Sequence, residues 1–234
     1  GEISARRQNL VNAYGTAASP TFALVQDMQH RDCEVLMLYP LDLVAVEERF
    51  GSWMTQYGYA NMVTQAKLLE RGKVANGAIE MAGRRFTTLV ATFEPFPSNR
   101  LLAMMTELAA QGGRVIWSGT VPTLTPEGES ALLAWQDLFG IDFAPMHSDG
   151  RLAPGRQILF EGPLAAVPSQ TILTDFLVDR IYPVTPREGT LPVARVKGEV
   201  VGTQRGNATF LGFRPRDDQA ASLGYETRTW FETL

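Results

Sequence analysis

The chain has 234 residues, 45% hydrophobic and 20% charged, with a formal net charge of −4. A chain of that length buries about 70–75% of its unfolded surface, so a large core is expected. No segment approaches the roughly 20 apolar residues of a membrane span, and the acid excess argues against a nucleic-acid partner, which calls for a basic face. Cys33 is the only cysteine, which excludes a disulfide or a cysteine-based zinc site within the chain.

The chain opens on Gly1-Glu2 rather than Met, and residues 1–30 read as a linker with short helices. "SARRQNLVNAY" stops at Gly15, and Ser19-Pro20 supplies a cap and a proline at the first helical position. The expectation is a domain over 31–234 that follows another one. "CEVLMLYP" (33–40) is a continuous apolar run of strand length, as in a parallel sheet covered on both faces. Asp42 then caps a helix in which Val46, Phe50, Trp53, Met54 and Tyr57 recur at spacings of three and four.

"YANMVT" (59–64) is the second predicted strand, and "QAKLLERG" a helical turn ending at Gly72. "AIEMAGRRF" resembles a small hairpin, and "FTTLVATF" (86–93) is a third strand ending at Glu94-Pro95. Ser98 caps a helix that turns Leu101, Met104, Met105 and Leu108 inward. Gly112-Gly113 ends it, and "RVIWSG" (114–119) is the fourth strand. Thr125-Pro126-Glu127 predicts the start of a helix running to about Phe139.

Alternating strands and helices predict an α/β fold: a three-layer parallel sheet with helices on both faces. Beyond Gly140 the rhythm changes. "RQILFEG", "QTILTDFLV" and "LPVARVKGEVVGTQRGNATFLGF" form a β-rich C-terminal extension over 141–213, followed by a final helix capped at Ser222.

Candidate chemistry is sparse. Cys33 precedes its strand, opposite the edge where open sheets bind ligands, and acidic Asp32 and Glu34 flank it. Ser118 follows a strand, but Ile116 stands where a nucleophile elbow needs its first glycine. His147 and Asp149 share a loop too pliant for a metal site, and Gly112-Gly113 precedes a strand, so it is no phosphate cradle. "NAT" (207–209) matches a glycosylation sequon but falls within a predicted strand. Trp117 ends a strand on the crevice side, although core packing is the default for all four tryptophans.

No catalytic residue, metal ligand or cofactor is assigned. The ligand- or partner-contact candidates are Tyr39, Glu94 and Ser118 at the crevice, and Arg214, Arg216, Asp217 and Asp218 in "RPRDDQ". Two arginines alternating with two aspartates can pair with each other and pin the last turn, or can hold a polar ligand. Asp42 and Glu94 both lie near strand ends, which leaves a paired-carboxylate hydrolase open.

The strands "VLMLYP" and "LVATF", the stretch "EPFPSNRLLAMMTELAAQGGRVIWSGTVP" and the late "GNATFLGF" together carry a resemblance. Over residues 33–122 and 198–213 the chain resembles the class I glutamine amidotransferase-like domains of large glycoside hydrolases, such as the trimerisation domain of family 42 β-galactosidases. The resemblance implies a flavodoxin-like sheet in an accessory domain that follows a TIM-barrel catalytic domain, contributes oligomer contacts and walls the barrel entrance. True amidotransferases carry a Gly-x-Cys-x-Gly elbow and a His-x-Glu pair; this sequence has neither, so no catalytic role carries over. Residues 141–197 have no counterpart in the family pattern.

The reading that follows is a non-catalytic accessory or assembly domain of a multidomain carbohydrate-active enzyme. Its partners would be the other domains of a longer parent chain, a second copy of itself or a carbohydrate, with no nucleic acid and no membrane. A sugar- or small-molecule-binding module and a carboxylate-dependent hydrolase are the alternatives.

Overall fold

The computed structural model describes residues 33–38, 60–92, 94–144, 154–172, 180–215 and 233. Its frame is a nine-stranded mixed sheet. Five strands are mutually parallel: β1 (Val35–Leu38), β2 (Asn61–Val63), β6 (Thr88–Thr92), β7 (Arg114–Ser118) and β14 (Ala208–Leu211), in the order β2-β1-β6-β7-β14. Four antiparallel strands continue the sheet from β14: β13 (Glu199–Arg205), β12 (Leu191–Val196), β9 (Gln157–Phe160) and β10 (Gln170–Thr171).

The apolar runs explain why the central strands sit where they do. Every residue of β6 and of β14 is buried, and side chains alternate between two hydrophobic clusters. Leu36, Leu38, Leu89, Ala91, Val115, Trp117 and Phe210 face one cluster, and Met37, Val90, Ile116 and Leu211 face the other.

Three α-helices cover the first face. α1 (Gln65–Arg71) is capped by the Thr64 side chain, which accepts from Lys67 N. α2 (Asn99–Ala110) is capped by Ser98, whose Oγ accepts from Leu101 N, and it buries Leu101, Leu102, Met105 and Leu108. α3 (Leu132–Phe139) brings Trp135 and Phe139 onto Trp117 and Phe210. Those rings meet edge-on or tilted at centroid distances of 5.0–6.3 Å, where an aromatic pair contributes about 1 kcal/mol beyond its burial.

The expectation of helices on both faces is therefore met on one face among the described residues. The helices expected over 4–14, 20–28 and 42–57 lie outside those residues, as does the final helix apart from Thr233. The sheet is also mixed rather than parallel throughout. The 141–213 extension supplies four antiparallel strands, but its last strand, β14, inserts parallel to β7.

Two smaller sheets complete the described fold. β3 (Lys73–Ala75), β4 (Ala78–Met81) and β5 (Arg84–Phe86) form an antiparallel meander, where the sequence predicts only a small hairpin. β8 (Ile141–Asp142) pairs with β11 (Thr185–Pro186). Arg187 clasps this pair to α3: Nη1 donates to Asp137 at 2.6 Å, and Nε and Nη2 donate to Asp142 at 2.9 and 2.7 Å. Both carboxylates push the Arg187 guanidinium above its ordinary pKa, led by Asp142.

The predicted helix start at Thr125 is a turn instead. Gly128, at φ 84°, donates to Thr125 O, and Thr125 N donates to Glu129 O. That closes a small loop bridged by Leu124 and Ser130. The capping signal is real, since Thr125 Oγ1 accepts from Glu129 N, but the left-handed glycine ends the turn before a helix can propagate. α3 begins after Ala131, without a side-chain cap, where burial of Trp135, Leu138 and Phe139 sets its phase. The sequon differs too: Asn207 is an exposed turn residue between β13 and β14, not a strand residue.

Gly140 ends α3 at φ 63°, and a Cβ there would strike the Thr190 hydroxyl and the Arg205 side chain. Gly140→Ala is expected to lower stability by about 2 kcal/mol, because left-handed strain adds to that clash; urea denaturation would read the loss. Thr203 is fully buried in β13, and its hydroxyl has no hydrogen-bond partner among the described residues. Thr203→Val keeps the shape and removes the unpaired group, so the same experiment should show it neutral or stabilising by up to about 1 kcal/mol.

Candidate functional site at the carboxyl rim of the parallel strands

Open α/β sheets bind ligands at the carboxyl ends of their parallel strands, in the crevice where strand order reverses. Here the chain passes from β1 to β2 on one side and then to β6 on the other, which places that crevice between β1 and β6.

Glu94 follows β6 and is 3% exposed. Its neighbourhood is organised by Gln65, the first residue of α1. Gln65 Oε1 accepts from Ser98 N at 2.6 Å, and Nε2 donates to Phe96 O at 3.1 Å and reaches Glu94 Oε1 at 3.5 Å. One amide thus staples the loop after β6 to the start of α1. The sequence reading missed this, because Gln65 reads as an ordinary helix-start residue. Its signal is the coincidence of a Thr64 cap with a "PFPS" loop that needs partners for its backbone.

Ser118 ends β7 and is fully buried. Its hydroxyl donates to Phe213 O at 2.8 Å, across a sequence separation of 95 residues. Beside it, Gly119 N donates to Leu211 O, and Trp117 Nε1 donates to Thr120 O at 2.7 Å. The positive backbone angle of this turn belongs to Gly119 (φ 91°), not to Ser118, so the strained geometry of a nucleophile elbow is absent at the serine. Trp117 is a core residue with zero exposure, as its default reading holds.

Gly212 fixes the adjoining end of β14. Its N–H donates to Val201 O and its carbonyl accepts from Tyr182 N, each at 2.7 Å, and a Cβ there would collide with Tyr182 O. Arg214 lies just beyond, partly buried, with its carbonyl accepting from Gln170 Nε2 at 2.8 Å. Tyr39, Arg216, Asp217 and Asp218 lie outside the described residues, as do Asp42 and His147. Glu94 and Ser118 therefore share the rim, and Arg214 adjoins it.

Cys33 sits at the amino end of β1, the opposite edge. Its sulfur accepts from Asn61 Nδ2 at 3.4 Å and faces Val35 O at 3.8 Å. Among the described residues, no three His, Cys, Asp or Glu side chains gather to hold a metal, and no helix is long and apolar enough to cross a membrane.

The fold has solved counterparts. The chain is similar to Gan42B, a GH42 β-galactosidase from G. stearothermophilus, at 14% identity over 87% of this chain and 30% of that one, with a TM-score of 0.57. A cold-adapted β-galactosidase from Rahnella sp. is similar at 8% identity over 87% and 31%, with a TM-score of 0.60. A ThuA-like protein from Bacteroides uniformis is similar at 10% identity over 85% and 88%, with a TM-score of 0.55. The likeness is one of fold. No protein-family profile matches the sequence, and no curated protein does. The chain spans about a third of the length of these β-galactosidases but most of the ThuA-like protein. At 87% coverage the likeness also reaches into residues 123–197, beyond the stretches that carry the sequence resemblance.

Removing the Ser118 hydroxyl takes a buried hydrogen bond away from the Phe213 carbonyl. Ser118→Ala is expected to cost about 1–3 kcal/mol, seen as a lower denaturation midpoint. Gln65→Ala is expected to strip hydrogen-exchange protection from the Ser98 amide while leaving the amides of β7 protected.

Proposed function

We propose that the chain is an accessory and assembly domain of a larger carbohydrate-active enzyme and performs no chemistry of its own. The observation that carries this reading is the state of the rim. Its described polar groups (Gln65, Ser98, Ser118, Trp117 and the glycine backbones) are committed to closing loops and strand ends, and Ser118 has no exposure with which to meet a substrate.

The parallel strand order 2-1-3-4-5 supports a flavodoxin-like assignment for residues 31–234; the sequence pattern of residues 1–30 suits a leading linker with short helices. Fold likeness to roughly 30% of two β-galactosidase chains supports a place beside a glycoside-hydrolase domain. The amidotransferase-like elements of the sequence, without their nucleophile, point the same way. In such a protein this domain would contact neighbouring domains and a second copy of itself.

A second reading rests on one observation: Glu94 is a carboxylate almost wholly withdrawn from solvent beside the crevice. Such a group, with Tyr39 and the Arg214–Asp218 segment, would serve a sugar- or small-molecule site, or a hydrolase acting through carboxylates.

The two readings separate on one set of assays. The 234-residue chain, offered chromogenic glycosides and glutamine, should give no turnover above buffer, and Glu94→Gln should change nothing. Turnover abolished by Glu94→Gln would overturn the accessory reading. Sedimentation of the same chain should show self-association if it carries the assembly contacts itself.

A further inference from the structure

Away from the rim, the antiparallel half of the sheet has a concave surface of about 600 Å³ along β9 and β12, within the usual size of a small-ligand site. Strand pairing dictates what it displays. Ala194 pairs with Phe160 and Arg195 with Leu159. Because strand side chains alternate, Gln157 and Leu159 share one face with Arg195, while Ile158 and Val196 enter the core; Glu161, just past β9, and Lys197, in the turn after β12 at φ 50°, line the same concavity. Arg156, one residue before β9, also lines the concavity.

Three cations thus meet one carboxylate, in a chain whose net charge is −4. Arg195 is held in place: Nε donates to Glu161 Oε1 at 2.7 Å and Nη1 donates to Gly198 O at 3.0 Å. Its Nη2 takes no partner among the described residues, and neither do the exposed side chains of Arg156 and Lys197. An ion pair this exposed contributes at most about 1 kcal/mol to folding, so fold stability does not account for the arrangement. Leu159, 55% exposed, lies in the middle of it.

We propose that this face binds a small acidic sugar. The fixed Arg195–Glu161 pair sets a donor beside an acceptor, the pattern that two adjacent hydroxyls require. Leu159 supplies an apolar patch for the C–H face of a pyranose ring. Arg156 and Lys197, on the flank, attract a carboxylate. The site is separate from the rim and does not depend on the accessory-domain reading, so either can fail without the other.

The test is a heteronuclear NMR titration of the 234-residue chain with galacturonic acid, galactose and inorganic phosphate. Galacturonic acid should give saturable shifts centred on the β9 and β12 amides, weakening as salt rises. Galactose should bind about tenfold more weakly, the difference made by one charge-assisted contact. The double variant Arg156→Glu/Lys197→Glu should lose galacturonic acid binding while keeping its melting temperature, since both side chains are exposed. Should charge reversal disturb folding, Arg156→Gln/Lys197→Gln gives the same readout. Absence of saturation, shifts confined to other strands, unchanged affinity in the double variant, or phosphate binding as tightly as galacturonic acid would each overturn the proposal.

Discussion

The fold depends on the seat of β14. This four-residue strand pairs in parallel with β7 on one side and antiparallel with β13 on the other, so two hydrogen-bonding regimes meet along it. All four residues are buried. Phe210 enters the aromatic cluster under α3, and Leu211 enters the opposite cluster. At its end the Ser118 hydroxyl and the Gly212 backbone tie the strand to β7, to Val201 and to Tyr182. Without those ties the parallel half would end at an open β7 edge, and the antiparallel strands would have nothing to extend.

The same economy of hydrogen bonds shapes the rim. In enzymes of this architecture the carboxyl ends of the strands carry groups whose hydrogen-bonding capacity is left for a substrate. Here Gln65, Ser98, Ser118 and Trp117 spend their hydrogen bonds on closing loops and strand ends. The Ser118 hydroxyl, fully buried, is spent on the Phe213 carbonyl, and the glutamine on α1 holds the loop after β6 through three contacts. Among the described residues, Arg156, Arg195 and Lys197 face outward on the antiparallel half.

Much of this was readable in advance, for identifiable reasons. The strands β1, β2, β6 and β7 announce themselves as apolar runs bounded by glycine, proline or caps, and α2 by Ser98 with its inward leucines. The failures share a cause. At Thr125 a local capping signal competes with Gly128, and only the three-dimensional turn shows which prevails. The parallel seat of β14 is invisible in sequence, because "GNATFLGF" reads equally well as the third strand of an antiparallel meander. The roles of Gln65 and Ser118 depend on partners 33 and 95 residues away, a distance no local pattern spans. The face of β9 and β12 could be read only after strand register fixed which charges share a side.

The pairing of β7 with β14 also orders events in time. During synthesis β7 emerges about ninety residues before its partner, and ribosomes add roughly 5–20 residues per second. For several seconds the nascent sheet presents a bare, apolar flank, while the local meander of β3–β5 can already zip closed. The pairing that joins the parallel and antiparallel halves can therefore be completed only once residue 211 has been made.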